Sequence, residues 1–412
     1  MKHETARSQL GVERLDERAL AHLDARAWDD LSTGALVENP FYAREFVLAG
    51  LDTIDSGAEL EALAVKGTGG ELLGLFPYRL RHLPFKTADA ACNLYQFCST
   101  PLVRRDAAKL VLGAWLDAVL HAEDLPRFWQ FKHVDLGSAL MPLLDEALAA
   151  RSLHRLAVNT YRRPHLTRVQ GGPDTHNRRV LRKRRLKDIK RNMRRLEELG
   201  ALRFERAREP ALVAWRLDQF LKLENSGWKG ETRTAFLAKR EDAAFARAAF
   251  TPCAGGKGLV TIDSLLLDGT PIAMSLNLQA RDTAFTPKCA YDERYRRYAP
   301  GLVLEYLIIQ AIYDEGSAVD MDAATTEEGH VLSGLWNGWK KMGTLIVGPD
   351  DWRLRAIARF AERMHASREL AKFMLGCGRR HPEPGSAKAR AWTKGGLLIP
   401  WALGLAAALG AE

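Results

Sequence analysis

The alternation of apolar and polar residues is most regular in the middle of the chain. Two alternating runs, 259–267 and 272–278, are separated by Asp268-Gly269, a dipeptide that tolerates the positive φ of a tight hairpin turn. A third run, 284–290, follows a polar turn. Because short strands joined by tight turns pair with antiparallel neighbours, the pattern predicts a three-stranded antiparallel meander.

The hydrophobic period changes after the third run. Apolar residues recur at intervals of three and four between Leu302 and Ile312, Gly316 ends this pattern, and 318–321 is again strand-like. A strand, a helix and a strand in this order form a βαβ unit, whose helix begins at the carboxyl ends of its parallel strands. Because helix amino termini carry unpaired N–H groups and the positive end of the dipole, an anionic ligand fits at this position.

The residues at the start of this helix are basic and turn-forming. Arg296, Arg297 and Gly301 lie there, and Pro300 occupies a position at which a missing N–H costs little. Two interpretations remain open. The loop either holds a phosphate-bearing cofactor or is a solvated basic turn closed by Pro-Gly.

The first half of the chain shows the same order of patterns. Two strands flank a glycine-rich turn at 67–70, and a third strand, two helices and two more strands follow. The predicted strands are 63–66, 71–81, 94–97, 128–131 and 153–159, and the predicted helices are 107–121 and 140–150. A meander followed by a helix and a strand therefore occurs twice, although no residue-level identity indicates a duplication.

Between the two halves lies the most charged segment, 177–199. Its apolar residues recur at three and four and most of the others are Arg or Lys, which predicts one long amphipathic helix closed by Gly200. Such a basic face could bind a nucleic acid or another anionic polymer. The alternative, favoured by the lack of interleaved aromatic residues, is an exposed connecting helix in which Arg and Lys serve helix propensity and solubility.

Length and composition restrict the class of protein. A chain of 412 residues exceeds one ordinary core, so we expect two domains of about 150–180 residues. The five cysteines form no CxxC pair and have no histidine at ligand spacing, which argues for a reducing compartment and against a metal site. The first residues lack the apolar core of a signal peptide. We therefore expect a cytoplasmic protein without a metal.

The carboxyl end complicates this expectation. Residues 397–411 are uncharged and apolar, and Lys388, Arg390 and Lys394 precede them. The run is shorter than the roughly 20 residues that a spanning helix needs, and it contains Pro400. It is either a helix folded against the body, a disordered end, or a tail that touches a membrane. The last of these would make the protein peripheral to the inner membrane.

Four ordered motifs resemble those of a known family. They are Glu224-Asn225-Ser226-Gly227-Trp228-Lys229-Gly230, Tyr291-Asp292-Glu293, Tyr298-Ala299-Pro300-Gly301 and Val319-Asp320-Met321. This pattern is similar to that of the CelD-like acetyltransferases of the GNAT superfamily, which are associated with cellulose and exopolysaccharide biosynthesis. These proteins are similar in turn to the FemAB peptidyltransferases.

The resemblance implies an α+β fold of two tandem GNAT-like domains, each a mixed, mostly antiparallel sheet flanked by helices. We accordingly predict an N-terminal GNAT-like domain at 1–170 and a basic connecting helix at 171–200. A C-terminal GNAT domain with the site follows at 201–349, and a helical basic tail with an apolar end at 350–412. Because the first half offers no arginine-glycine loop ahead of its helix, we expect it to be structural.

The resemblance also implies the donor. In GNAT enzymes the pyrophosphate of acetyl-CoA binds an Arg/Gln-x-x-Gly-x-Gly/Ala loop before the central helix. The matching residues here are Arg296, Arg297, Tyr298, Ala299 and Gly301, with Ala299 in place of the first glycine. The implied donor is acetyl-CoA or another acyl-CoA. Where the family usually shows an Asp-Phe-Gly-like strand followed by a Tyr-Lys pair, this chain instead has Asp320-Met321-Asp322 and, later, Trp336-Asn337-Gly338-Trp339-Lys340.

Acyl transfer from a thioester to an amine or hydroxyl needs a base and a donor to the developing oxyanion. We predict Glu224 or Asp292 as the base, because each lies near an aromatic residue and partial burial would raise the pKa of its carboxyl. The alternatives are that Glu224 ends a helix and pairs with Lys229, and that Asp292 is a helix cap.

Four residues are candidates for substrate binding. Lys229 and Lys288 could hold an anionic acceptor or cofactor, although an exposed lysine is more often only a solubilising charge. Trp228 and Tyr291 stand beside the two candidate carboxylates and would complete the contacts with the substrate.

The predicted function is therefore transfer of an acyl group, in the first place acetyl, from acyl-CoA to a small molecule or a polysaccharide precursor. One alternative is an aminoacyl-tRNA-dependent transferase of FemAB type, in which the basic helix would contact RNA phosphates. The other is a catalytically inert scaffold in exopolysaccharide assembly. Oligomeric state and acceptor are left open.

Overall fold

The chain folds as an α+β protein around one mixed sheet, which confirms the predicted fold class. The structure is a computed structural model and describes residues 10–181, 183–251, 260–316, 320–326 and 331–374. The strands are β1 (Gly11–Leu15), β2 (Glu61–Lys66), β3 (Leu72–Arg81), β4 (Thr87–Ala90), β5 (Leu102–Val103), β6 (Trp129–Asp135), β7 (Leu153–Thr167), β8 (Leu202–Ala207), β9 (Val260–Leu267), β10 (Thr270–Gln279), β11 (Thr283–Tyr291), β12 (Asp320–Asp322) and β13 (Gly338–Pro349).

Helices cover both faces of the sheet. They are α1 (Glu17–Ala21), α2 (Ala25–Gly34), α3 (Arg44–Leu51), α4 (Ala108–His121), α5 (Leu140–Ala149), α6 (Gly172–Val180), α7 (Lys183–Glu197), α8 (Pro210–Ser226), α9 (Trp228–Glu231), α10 (Arg240–Phe250), α11 (Pro300–Glu315) and α12 (Trp352–Met374). Short 3₁₀ turns lie at Pro40–Tyr42, Arg105–Ala107, Phe236–Ala238, Glu293–Tyr298 and Val331–Gly334.

The strand order is β1-β2-β3-β4-β6-β13-β7-β12-β11-β10-β9-β8, with β5 beside β3. All described neighbours are antiparallel except β4 with β6 and β11 with β12. Each parallel pair is joined by a crossover that contains one long helix, α4 in the first half and α11 in the second. The architecture predicted for both halves, a meander followed by a helix and a strand, is therefore present twice.

The last strand links the two halves. β13 pairs with β6 on one side and with β7 along almost its whole length on the other. Residues 338–349, which the sequence predicts to be part of the C-terminal domain, thus complete the sheet of the N-terminal half. β7 in turn pairs with β12 through Thr167, Leu166 and His165, so the sheet continues without a break into the second half.

The core of the first half is largely aromatic and aliphatic. α4 and α5 cover the face of β2, β3, β4 and β6, and Trp115 of α4 stacks on Phe76 with ring centroids 4.8 Å apart. Trp129 and Tyr78 pack next to this pair. In the second half α8 and α10 cover one face of the sheet. The other face is covered by α11, against which α7 packs Ile189 and Leu196.

Two predictions of secondary structure are wrong. The basic segment is not one helix, because Leu181 has an extended backbone (ψ 129°) that separates α6 from α7. Its side chain is buried against the core, so the 3.6-residue hydrophobic period continues across the break and conceals it. Residues 94–97 form a loop, and the strand that follows β3 is β4 (Thr87–Ala90). That loop holds Tyr95 against the core of the second half.

No helix in the described ranges is long and apolar enough to cross a bilayer. The apolar run 397–411 and the strand residues 318–319 predicted from the sequence lie outside the described residues. The helical part of the predicted basic tail is present as α12, which packs on β7 and β13 through Leu354 and Ile357.

Candidate active site

The two parallel strands of the second half separate soon after they meet. β12 pairs with β11 at only three positions, Thr283 to Phe285, and then ends at Asp322. β11 continues to Tyr291, and over this part its strand partner in the described chain is β10 alone. The edge of β11 from Thr286 to Tyr291 is therefore open toward β12. An open edge in the interior of a sheet leaves backbone N–H and C=O groups for a ligand.

A β-bulge lies at the point of divergence. Leu276 pairs with Lys288 and Leu278 with Phe285, so Thr286 and Pro287 together stand opposite one residue of β10. A bulge re-aims the side chains that follow it. Pro287 is tolerated here because it removes an N–H from a position outside the regular ladder. The hydroxyl of Thr286 is buried and has no hydrogen-bond partner among the described residues, so within them the bulge carries an unmatched polar group.

Glu224 is the centre of a buried ionic cluster next to this edge. Its side chain is fully buried, and Oε1 accepts hydrogen bonds from Lys288 Nζ (3.0 Å) and Lys229 Nζ (3.4 Å). Oε2 accepts from the backbone N–H of Phe236 (2.9 Å). The same Lys229 Nζ donates to the carbonyl of Cys289 on β11 at 2.7 Å. Glu224 thereby ties α8 to β11 at the open edge.

Aromatic rings surround the ammonium group of Lys288. Its Nζ lies 4.4 Å from the ring centroid of Phe236 and 5.4 Å from that of Tyr95. Burial lowers the pKa of Lys288, and the charge of Glu224 offsets this only in part. A lysine in such surroundings loses its proton more readily than an exposed one.

A second ionic cluster stands at the end of β12. Asp322 Oδ2 accepts from Lys340 Nζ (2.9 Å), and Oδ1 lies 3.4 Å from Arg163 Nη1. Asp322 and Arg163 are 2% and 1% exposed. Burial favours the neutral acid, but the charges of Lys340 and Arg163 outweigh it and hold the pKa of Asp322 well below its usual range. Asp322 also caps the backbone N–H of Ala324 at 2.8 Å.

The first half of the chain completes this second cluster. Arg163 Nη2 donates to the carbonyl of Phe97 (2.7 Å) and to the hydroxyl of Tyr161 (2.8 Å), which also contacts His133 Nδ1 (3.0 Å). Phe97 is two residues from Tyr95, whose ring faces Lys288. The segment 95–97 therefore contacts both ionic clusters, through Tyr95 at one end and Phe97 at the other.

The start of α11 offers guanidinium groups and few amides. Ala299 adopts a left-handed backbone (φ 47°), and its carbonyl accepts from the N–H groups of both Leu302 and Val303. Pro300 has no N–H, so Gly301 is the one residue of the first two helical positions that could donate to an anion. Arg296 and Arg297 are exposed, although Arg297 Nη2 also donates to the hydroxyl of Tyr298 at 2.5 Å.

Asp292 has the contacts of a helix cap. Its carboxylate accepts from the backbone N–H of Arg294 (3.0 Å) and from the Arg294 guanidinium (2.6 Å to Nη2). These hydrogen bonds lower the pKa of Asp292. A carboxylate with a lowered pKa is a weak base. The contacts of Asp292 therefore agree with the second interpretation of the sequence, in which it is a helix cap. Its catalytic role stays a prediction.

Trp228 and Tyr291 lie near the open edge. Trp228 opens the short helix α9 and is half-exposed, with the Lys229 ammonium 5.9 Å from its ring centroid. Gly227, just before it, approaches the carbonyl of Tyr291. Tyr291 itself lies beside Gly301 at the start of α11, with its Cδ1 3.9 Å from where a Cβ would be. The predicted substrate residues and the predicted cofactor loop therefore meet at the carboxyl end of β11.

A buried carboxyl lies under α11. Glu305 is 5% exposed and accepts from the indole N–H of Trp336 at 2.6 Å. Burial raises the pKa of Glu305 to about 7, and the indole hydrogen bond opposes this rise. Among the described residues no group of His, Cys, Asp and Glu side chains is arranged to hold a metal ion.

Sequence reasoning missed the second cluster. Asp322 and Lys340 stood out only as departures from the motifs of the resembling family, and Arg163 lies in the other half of the chain. The signal that could have found them is the charge itself. Arg163 lies on β7, and β7 has a strand on each side, β13 and β12. A charged side chain that is buried in the middle of a sheet requires a partner of opposite charge.

Comparison with known proteins agrees with this geometry. Residues 182–330 match the family described as Acetyltransferase (GNAT) domain. The crystal structure of FemX is similar to this chain at 12% identity with a TM-score of 0.54, covering 81% of this chain and 96% of that one. The C-terminal domain (DUF2156) of a putative lysylphosphatidylglycerol synthetase from Agrobacterium fabrum reaches a TM-score of 0.50 at 12% identity and covers 82% and 95%.

A conserved protein of unknown function from Bacteroides thetaiotaomicron VPI-5482 is similar at 9% identity, with a TM-score of 0.50 and coverage of 79% and 97%. No curated protein matches the chain in sequence. At these identities the structures show the fold alone. The resemblance to GNAT and FemAB-like proteins is thus confirmed as a resemblance of fold, while the narrower CelD-like assignment stays a prediction. Residues 182–330 are thus similar to the GNAT domain family, within a fold similar to that of FemX.

Proposed function

We propose that the protein is an acyltransferase that moves an acyl group from acyl-CoA to an amine or hydroxyl of a small molecule or polysaccharide precursor, at the divergence of β11 and β12. The observation that carries this proposal is the open edge of β11 from Thr286 to Tyr291, inside the segment that matches the GNAT family. An extended ligand with amide groups can pair with such an edge as an added strand would.

The residues at the open edge of β11 and at the start of α11 fit the extended pantetheine arm of acyl-CoA better than its phosphates. The open edge and the unpartnered hydroxyl of Thr286 offer hydrogen bonds to an extended chain. The phosphates would contact Arg296, Arg297 and the N–H of Gly301, because the other first-turn amides are already bonded to Ala299. When bound, acyl-CoA supplies an activated thioester.

The acceptor's surroundings come from the Glu224 cluster. We assign Glu224 the role of orienting Lys288 and Lys229, since its two oxygens accept from both ammonium groups and from one backbone N–H. We assign Lys288 the role of contacting the acceptor, because its ammonium group lies at the open edge between Glu224 and the rings of Phe236 and Tyr95. Trp228 offers an exposed ring surface beside Lys229.

Calorimetric titration with acetyl-CoA tests the proposal. We expect binding in the micromolar to low millimolar range, and release of free thiol when a suitable amine is added. Gly301→Asp should weaken binding at least tenfold, because it places a carboxylate against the phosphates. Gly301→Ala is the matched control, since its Cβ would have space. Absence of binding at millimolar acetyl-CoA would contradict the proposal and favour a scaffold.

A second candidate is an aminoacyl-tRNA-dependent transferase, and one observation favours it. α6 and α7 expose Arg178, Arg179, Lys183, Arg184, Lys187, Lys190, Arg191, Arg194 and Arg195, and α7 packs next to the turn that carries Arg296 and Arg297. The similarity of fold to FemX is consistent with this alternative. A steep fall of tRNA affinity between 50 and 200 mM salt, by about a hundredfold or more, would favour it. Affinity independent of salt would exclude it.

A further inference from the structure

An exposed apolar patch lies at the start of α12. Leu83 and Trp352 are 81% and 66% exposed, which places them among the most exposed large apolar side chains of the described chain. Phe85 connects them: it follows Leu83 by two residues, and its ring centroid lies 6.2 Å from that of Trp352. Phe85 also packs against the small core beneath α12, so the patch stands on a fixed base.

The backbone holds both side chains outward. Leu83 lies in the turn between β3 and β4, where His82 and Pro84 are exposed as well. Trp352 is the first residue of α12, just before Leu354, which is fully buried. Because the helix directs Leu354 toward the sheet, Trp352 cannot turn into the same core. A protruding cluster of this kind marks an interaction surface more often than a random surface residue does.

The surroundings of the patch are basic. Between 352 and 371, α12 carries five arginines and two glutamates. Arg353 and Arg355 pair with Asp351 and Asp350, but Arg359 and Arg363 are exposed and form no ion pair within the described residues. Lys86, next to Phe85, is exposed too. The partner of this surface should therefore be anionic.

The sequence beyond α12 has the same character. Residues 375–396 contain five Arg or Lys and one Glu, and the uncharged apolar run 397–411 follows. The chain therefore continues from the apolar patch through α12 into a second basic stretch and a second apolar run. An anionic lipid surface matches both features, because it takes apolar side chains below its headgroups and attracts Arg and Lys above them.

We propose that the surface formed by Leu83, Phe85, Trp352, Arg359 and Arg363 binds an anionic lipid bilayer. Leu83 and Trp352 enter the headgroup region, and the two arginines contact lipid phosphates. A second copy of the chain is a poorer occupant, since it would bring two arginine-rich helices together. The proposal goes beyond the transferase function and does not depend on it.

Flotation of the full-length protein with vesicles tests this inference. The probes are vesicles of phosphatidylcholine alone and of phosphatidylcholine with phosphatidylglycerol at 7:3. We expect binding to the anionic vesicles at least tenfold stronger than to the neutral ones. Leu83→Ser/Trp352→Ser should reduce it about tenfold, since two apolar contacts are lost. Arg359→Glu/Arg363→Glu should reduce binding to anionic vesicles only.

The matched control is Leu94→Ser/Leu110→Ser, which removes two other exposed leucines, 75% and 51% exposed, and should leave flotation unchanged. Flotation of a full-length Leu398→Asp/Leu405→Asp variant measures how much the apolar run 397–411 contributes to vesicle binding. Circular dichroism and thermal unfolding confirm that each variant is folded. Undiminished flotation of Leu83→Ser/Trp352→Ser, equal binding to both vesicle types, or a dimer that this variant dissociates would each overturn the proposal.

Discussion

The two parallel strand pairs of the sheet differ in what fills the space beside them. In the first half, β4 meets β6 at only two positions, and the chain then closes the edge of β6 with its own residues: the N–H and hydroxyl of Ser99 both donate to the carbonyl of Lys132. In the second half, the contact across the gap is made on the other strand of the pair: the ammonium group of Lys229 donates to the carbonyl of Cys289 on β11. The first gap is thus closed by a residue that lies in it, the second only by the end of a flexible side chain.

The helices that cross over these strand pairs show the same difference. α4 buries Trp115, which stacks on Phe76 in a cluster of apolar residues. α11 buries Glu305, a carboxyl bonded to the indole of Trp336. Both halves bury neutral polar side chains, such as Gln130 and Asn277, but the crossover helix of the second half also buries an ionisable one. A buried carboxyl lowers stability unless it is bonded, so Glu305 marks the half in which we expect chemistry.

The largest expected effect breaks the cluster that joins the halves. Asp322→Asn leaves Arg163 and Lys340 without their counter-charge in a buried place, which should destabilise the fold by about 4 kcal/mol. Urea unfolding measures this change. Asp320→Asn is the control two residues away, where the carboxylate is about a third exposed, and it should change stability by less than about 1 kcal/mol. Equal effects of both substitutions would contradict the role of the cluster.

The cluster around Asp322 also predicts how the stability of the fold changes at low pH. Because the folded-state pKa of Asp322 is held below its unfolded value, its contribution to stability is complete above roughly pH 4 and is lost as the pH falls further. Unfolding curves between pH 6 and 2 should therefore show a steep loss at the acid end. In Asp322→Asn this part of the pH dependence should be missing.

The second prediction concerns the open edge itself. Glu224→Gln keeps the acceptor for the Phe236 N–H but leaves Lys288 and Lys229 uncompensated, and we expect a loss of about 3 kcal/mol together with loss of acyl transfer. Asp292→Asn, which removes an exposed capping pair, should cost less than about 1 kcal/mol. Thermal unfolding and thiol release read out the two parts. Full activity of Glu224→Gln would contradict the assigned role.

A third prediction uses the difference between the crossover helices. The folded-state pKa of Glu305 lies near 7, above its unfolded value, so the folded protein holds a proton there that the unfolded chain has lost. Stability should therefore fall as the pH rises from about 5 to about 8. Glu305→Gln keeps the acceptor for Trp336 and should be more stable than the wild type at pH 8, by up to about 3 kcal/mol. Parallel pH profiles of the two proteins would contradict this.

The smallest effect separates the sealed edge from the open one. Ser99→Ala removes one buried hydrogen bond and should cost about 1 kcal/mol without changing acetyl-CoA affinity. Lys229→Met removes the side chain over Cys289 and should change donor affinity more than stability. Calorimetry measures the acetyl-CoA affinity of each variant, and urea unfolding measures its stability. If both substitutions act on stability alone, the two edges are equivalent and the comparison fails.

Local patterns in the sequence predicted the elements of the fold well. The meander, α11 and its crossover follow from a change of hydrophobic period and from one Asp-Gly turn, which are local properties. The break at Leu181 was not predictable in this way, because the residue keeps its place in the apolar pattern while its backbone leaves the helix. The position of β13 between β6 and β7 depends on which strands pair, and alternation along one strand carries no information about its neighbours.

For the candidate active site, the sequence indicated which part of the chain forms it, but not all of the contacts that its side chains make. The pairing of Glu224 with Lys229 was one of the two interpretations offered by the sequence, and Lys288, selected separately, proves to share the same carboxylate oxygen. Their meeting requires α8 to cross β11, which is a property of packing. Arg163 with Asp322 could not be paired from the sequence, since the two residues belong to different halves and only the continuous sheet brings them together.

The position of β13 has a consequence for synthesis in the cell. Its partners β6 and β7 leave the ribosome long before it does, and until then each has an unpaired strand edge. The amino-terminal half therefore cannot finish folding as a unit during translation, unlike most domains that fold as they emerge. We expect the nascent chain to depend on chaperones, and a message truncated before codon 338 to yield an aggregating product.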